Sequence, residues 1–98
     1  MKSLTRNYLR KLAHELKPVV MVGKNGINPA VEEAVNQALE SHELIKIKFV
    51  DFKSSKKDLI MLLVEAVNAD FISLIGNIAI LFRQNRDPDK RKIKGVVF

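Results

Sequence analysis

The segment Val22-Gly23-Lys24-Asn25-Gly26-Ile27-Asn28-Pro29 sets two glycines three residues apart around a lysine and an asparagine. Glycine tolerates backbone conformations and close approaches that a side chain blocks. A turn built this way can aim its N–H groups at a phosphate. Lys24 adds a full positive charge, and the Asn25 amide can donate to a phosphate or a sugar oxygen. The chemistry these residues suit is the clamping of a single-stranded nucleic-acid backbone, the task that a G-x-x-G loop performs elsewhere. The spacing fits neither the phosphate loop G-x-x-x-x-G-K-[ST] nor the dinucleotide fingerprint G-x-G-x-x-G.

Other chemistries find less support. The chain contains no cysteine, which removes disulfides, thiolate metal sites and thiol nucleophiles. Its two histidines, His14 and His42, fall in different segments with no carboxylate partners at ligand spacing. No nucleophile–base pair and no acid pair stands out, so the expectation is a binding protein without catalysis, metal, cofactor or small-molecule substrate. The amino terminus lacks a signal-peptide apolar core, and no apolar run approaches the roughly 20 residues of a membrane span. A cytoplasmic protein with no membrane contact is expected.

The 98 residues carry a net charge of +6, unevenly distributed. Residues 1–24 hold six Lys/Arg against one Glu, whereas residues 25–43 hold four Glu and no Lys or Arg. Residues 44–58 are net +3, residues 59–82 net −2, and residues 83–98 net +4. Segregated positive charge is the footprint of a polyanion binder.

The elements that must position the loop can be read from periodicity. From Leu4 to Leu16, the residues Leu4, Tyr8, Leu9, Leu12, Ala13 and Leu16 share one half of a helical wheel, and Arg6, Arg10 and His14 run down the other. That pattern must stop at Lys17-Pro18. Val19 to Val22 reads as a short buried strand leading into the glycine loop. Asn28-Pro29 then caps and starts a second helix with Glu32 and Glu33 in its first turn. Leu44 to Val50 alternates, with Ile45, Ile47 and Phe49 on one face and Lys46 and Lys48 on the other. Ser55 to Asp58 resembles a capping box before a third helix reaching about Val67, with Asn68 as a left-handed stop. Phe71–Ile75 and Ile78–Phe82 form a hairpin about Gly76-Asn77.

The expected fold is therefore a single compact α/β (α+β) domain of order α-β-α-β-α-β-β, with a four-stranded mixed sheet covered by helices. It should occupy residues 1–84, followed by a basic tail over 85–98. Phe49, Phe71 and Phe82 belong inside, which leaves few aromatics for base stacking. Backbone and shape recognition is the expected mode.

Three stretches carry a family resemblance. They are Arg10-Lys11-Leu12-Ala13-His14-Glu15-Leu16-Lys17-Pro18-Val19-Val20-Met21-Val22-Gly23-Lys24-Asn25-Gly26, His42-Glu43-Leu44-Ile45-Lys46-Ile47-Lys48, and Ile75-Gly76-Asn77-Ile78-Ala79-Ile80-Leu81-Phe82-Arg83. Together they resemble the CRM (chloroplast RNA splicing and ribosome maturation) domain in its stand-alone bacterial form, the YhbY proteins, over about residues 2–84. The resemblance implies RNA binding, association with large-subunit ribosomal precursors, and a fold similar to the C-terminal domain of translation initiation factor three. Carried over by position, it implies a binding loop at Gly23, Lys24, Asn25 and Gly26 with basic surroundings at Arg6, Arg10, Lys17 and Arg83. Two departures stand outside the loop: Asn68 where the family often has glycine, and Phe82 where tyrosine is frequent.

The expected function is a monomeric RNA-binding ribosome-assembly factor acting on large-subunit precursor RNA. The alternative is a protein-interaction module of the translation machinery that uses the acidic helix at Glu32, Glu33, Glu40 and Glu43 without direct RNA contact.

Overall fold

The computed structural model describes residues 1–50 and 55–98. The charges of Asp51 and Lys53, counted above, lie outside the described residues. The elements follow the expected order: α1 (Ser3–Ala13), β1 (Pro18–Val22), α2 (Pro29–His42), β2 (Leu44–Phe49), α3 (Lys56–Ala66), β3 (Asp70–Ile75) and β4 (Ile78–Phe82). The four strands make one mixed sheet in the order β1-β2-β4-β3. Strand β1 runs parallel to β2 across the α2 connection, and both pairs involving β4 are antiparallel.

Alternation decides what each sheet face meets. On one face Val20, Val22, Ile45, Ile47, Phe49, Ala79 and Leu81 pack with Val35 and Leu39 of α2 and Ile60, Leu63 and Val64 of α3. On the other, Leu44, Ile72, Ile80 and Phe82 pack with Leu9 and Ala13 of α1. Side chains of this size each contribute about 1.5–3 kcal/mol when fully buried, so the two clusters hold the three layers together. Phe49 and Phe82 are fully buried as expected, while Phe71 is partly exposed at the sheet edge.

Helix α2 starts as the sequence requires. The Asn28 side chain accepts the Val31 N–H at 2.9 Å, and Pro29 occupies the first turn. Asn68 takes φ 54°, the left-handed stop expected of it. Gly76 has φ 60° while Asn77 does not turn positive, the geometry of a II′ hairpin.

Several expectations need correction. Strand β1, expected to be buried, buries only Val20 and Val22, because it lies at the sheet edge and its alternate residues Val19 and Met21 face away from α2 and are exposed. Helix α1 ends at Ala13 rather than near Leu16, because the chain must descend to the edge strand that begins at Pro18. Its apolar stripe is also only half core: Leu9 and Ala13 are buried, but Leu4 is 84% exposed. Ser55 does not close a capping box, since it sits in the left-handed region at φ 64° with no side-chain cap bond. In that conformation its hydroxyl cannot reach the third N–H of the helix. The tail over residues 85–98, whose apolar end at Gly95 to Phe98 could dock or fray on sequence grounds, packs along the domain: the Tyr8 hydroxyl donates to the Lys94 carbonyl at 2.9 Å, the Thr5 hydroxyl to the Val97 carbonyl at 2.7 Å, and the Phe98 ring lies 6.2 Å from that of Phe82.

The tail is anchored by Glu43. This residue joins the last residue of α2 to the first of β2, and a one-residue junction forces φ 63°, ψ −48° on a non-glycine. Its carboxylate is buried and accepts the backbone N–H groups of Asn85 (2.6 Å), Lys92 (2.6 Å) and Ile93 (3.0 Å). Burial, the largest influence, pushes its pKa up. The three N–H donors and the positive charge of Arg91 together outweigh burial and hold it below the ordinary 4.5.

Candidate nucleic-acid interface

The glycine loop leaves the end of β1 directly. Gly26 N–H donates to the Gly23 carbonyl at 2.9 Å, closing a β-turn with Lys24 and Asn25 at its corners. Gly26 takes φ 71°, where an L-residue is strained, so the turn needs glycine there. Gly23 is different. Its φ is not positive, and a Cβ built on it would meet nothing within 4 Å. The fold leaves open space at 23, and neither sterics nor φ demands glycine there. Lys24 and Asn25 are exposed, and their N–H groups have no hydrogen-bond partner among the described residues.

The other candidate residues separate into three places. Arg10 lines a groove with Lys11, His14 and the isoleucines at the hairpin end of the sheet. Arg6, one turn earlier on α1, is exposed toward the other end of the helix. Lys17 borders a second groove on the opposite flank of α1, beside Leu12, Leu16 and Val19. Arg83 lies apart from all of them. Its guanidinium donates to Asn36 Oδ1 (2.7 Å), the Val67 carbonyl (2.8 Å) and the Asn36 carbonyl (3.0 Å), and reaches Glu40 at 3.4 Å. It therefore ties α2 to the end of α3, on the sheet face away from α1. The loop begins at the far end of β2, and five residue steps at about 3.3 Å each separate the two by roughly 16 Å.

The strand lysines also divide. Lys46 donates to the carbonyls of His14 and Leu16 at 3.3 and 3.0 Å, which pins the segment just after α1 to the sheet. Lys48 points from the same face and has no partner among the described residues. The acidic surface expected on α2 is reduced: Glu43 is buried under the tail, and Glu40 takes Arg83 and the Asn85 amide. Sequence reasoning missed Lys11, which faces the groove while Arg6 does not. Helical spacing alone cannot tell which flank of an exposed face overlooks the sheet.

The family model for the CRS1 / YhbY (CRM) domain matches residues 1–83. An RNA-binding protein of Haemophilus influenzae is 37% identical over 83 residues, covering 84% of each chain. The Bacillus subtilis protein YqeI, named a probable RNA-binding protein, is 31% identical over 83 residues, covering 84% of this chain and 86% of its own. The solution structure of a hypothetical protein from Staphylococcus aureus superposes with a TM-score of 0.80 at 29% identity, covering 95% of this chain and 98% of that one.

Proposed function

The chain belongs to the CRS1 / YhbY (CRM) domain family, and from that premise we propose that it is an RNA-binding protein whose Gly23-Lys24-Asn25-Gly26 turn clamps the RNA backbone. One observation carries the assignment to the loop. Lys24 and Asn25 stand free on a turn whose first glycine the fold does not need. Two exposed N–H groups and one ammonium can surround a phosphate there, and a Cβ at Gly23 would narrow the approach. Arg10 and Lys11 extend the positive field along the same end of the sheet, with Arg6 and Lys17 more distant. Arg83 contributes by holding α2 and α3 in place more than by direct contact.

The role that best suits such a module is assembly of the large ribosomal subunit, with the protein acting as a cytoplasmic monomer on precursor ribosomal RNA. Phosphate clamping carries little base information, so specificity would come from RNA shape and neighbouring proteins. Binding without turnover is the corresponding expectation. No helix among the described residues is long and apolar enough to cross a membrane.

Two measurements test the proposal. An anisotropy titration against single-stranded RNA should weaken with salt, at a slope of about −0.7 per phosphate contact. A flat response would remove the electrostatic clamp. In-cell crosslinking with sequencing should recover large-subunit ribosomal RNA, and recovery of other RNA alone would overturn the assembly role.

A further inference from the structure

The sheet face that carries α1 is only half covered. Because α1 ends at Ala13 and the chain turns down over Lys46, the next row of side chains toward the loop has no helix above it among the described residues. Strand register identifies that row: Met21 pairs with Lys48, Lys48 with Ile78, and Ile78 with Ile75, one residue from each strand. Met21 is 63% exposed and Ile75 60%. Both lie on edge strands, where uncovered apolar side chains invite unwanted pairing.

Three features select what could cover this row. Its apolar members are interrupted by a cation, Lys48, and bordered by Arg10 and Lys11, with no carboxylate among the described residues lining the groove. A groove of about 630 Å³, within the range that holds a small organic ligand or a nucleotide, shares Ile75 and Ile78 with the row. It extends the row toward α1, where Arg10, Lys11 and Lys46 line it, and Met21 and Lys48 continue the row beyond the groove. The row also adjoins the clamp, since Met21 stands two residues before Gly23. Lys56 steadies its other end by donating to the Gly76 carbonyl (3.3 Å) and Asn77 Oδ1 (2.7 Å) at the hairpin. The matching occupant is anionic and presents flat apolar faces.

We propose that this row is a docking platform for unpaired nucleotides of RNA, with base faces laid on Met21, Ile78 and Ile75 and their phosphates met by Lys48, Arg10 and Lys11. The proposal rests on the RNA-binding reading above and adds to it a surface that holds the base faces of the strand beside the backbone clamp. A duplex stacks its own base faces internally and offers only phosphates, sugars and base edges. It would leave the apolar row unused. The platform therefore prefers single-stranded segments such as loops and bulges, and aliphatic contact takes the part that aromatic stacking plays in other single-strand binders.

The test is the pair of substitutions Met21→Thr and Ile75→Thr made together, which keeps the net charge and suits exposed edge strands. Anisotropy is read with a single-stranded RNA and with the duplex of the same sequence. The expected result is a loss of about fivefold or more for the single strand, little change for the duplex, and an unaltered salt slope. In the unmodified protein, methyl resonances of Met21, Ile75 and Ile78 should shift on adding the single strand and much less on adding the duplex. That readout stands even if the double variant folds poorly. Equal losses for both RNAs, or unshifted methyls, would overturn the platform. If Lys24→Glu weakens binding while the threonine pair binds as the parent does, the loop clamp stands and the platform falls, leaving the row to a protein partner. If the parent protein binds no RNA at all, the underlying reading fails first.

Discussion

At the Leu44 end of β2, Arg83 commits its guanidinium to Asn36, Val67 and Glu40, and Glu43 commits its carboxylate to the backbone of the tail. At the Phe49 end, Lys24 and Lys48 stand in solvent with no partner among the described residues, and Arg10 bonds only its helix neighbour Asn7 at 3.2 Å. Both ends carry cations, but their surroundings differ. Where charge is buried or bonded within the chain, it positions helices and the terminus. Where charge is left free beside a bare glycine, it is available to a polyanion. The family resemblance implies a binding role for both Lys24, in the loop, and Arg83, in its basic surroundings; in the structure Arg83 is bonded within the chain and Lys24 is exposed.

Substitutions can break or sharpen this contrast, beginning with the bonded end. Glu43→Ala leaves three backbone N–H groups without their charged acceptor, and should lower unfolding free energy by about 3–4 kcal/mol in a urea titration. Faster amide exchange at Lys92 and Ile93 should accompany it. A loss below 1 kcal/mol would mean that the tail is not anchored there. Glu43→Gln should lose less and should also change the acid limb. The folded carboxylate titrates below 4.5, so its stabilisation is complete above that pH and drains away as pH falls below it. The glutamine variant should lack that part of the decline.

Arg83→Ala comes next, with an expected stability loss of about 2 kcal/mol from the unsatisfied Val67 and Asn36 carbonyls. RNA affinity of the folded protein should change less than twofold. An affinity loss with unchanged stability would reassign Arg83 to direct contact. At the free end the pattern should invert: Lys24→Glu should weaken RNA binding about tenfold, equivalent to about 1.4 kcal/mol, with the thermal midpoint nearly unmoved. The two loop glycines give the smallest and finest comparison. Gly26→Ala should cost about 1 kcal/mol of stability because φ is positive there. Gly23→Ala should leave stability intact and weaken RNA binding alone, as checked by calorimetry beside anisotropy.

Much of this architecture was legible in one dimension. The order of seven elements, the Asn28 cap, the alternation of Ile45, Ile47 and Phe49 against Lys46 and Lys48, and the Gly76-Asn77 hairpin all rest on local rules of period and backbone preference. The loop motif was visible for the same reason. The length of α1, the failed cap at Ser55 and the partners that hold the tail were not, because each depends on where distant segments meet. Glu43 illustrates the limit. At the end of an acidic helix it reads as a surface residue, and only the returning tail, over forty positions later, makes it a buried anchor.

Sequence alone thus determined which segments become helix and strand, that the chain is basic, and that a glycine turn with a lysine joins a strand to a capped helix. These follow from interactions among residues a few positions apart. Tertiary structure alone decided which cations are free, which face of the sheet stays open, and that Met21, Lys48, Ile78 and Ile75 form one row. Those properties depend on burial and strand register, which bring together residues that no local pattern connects.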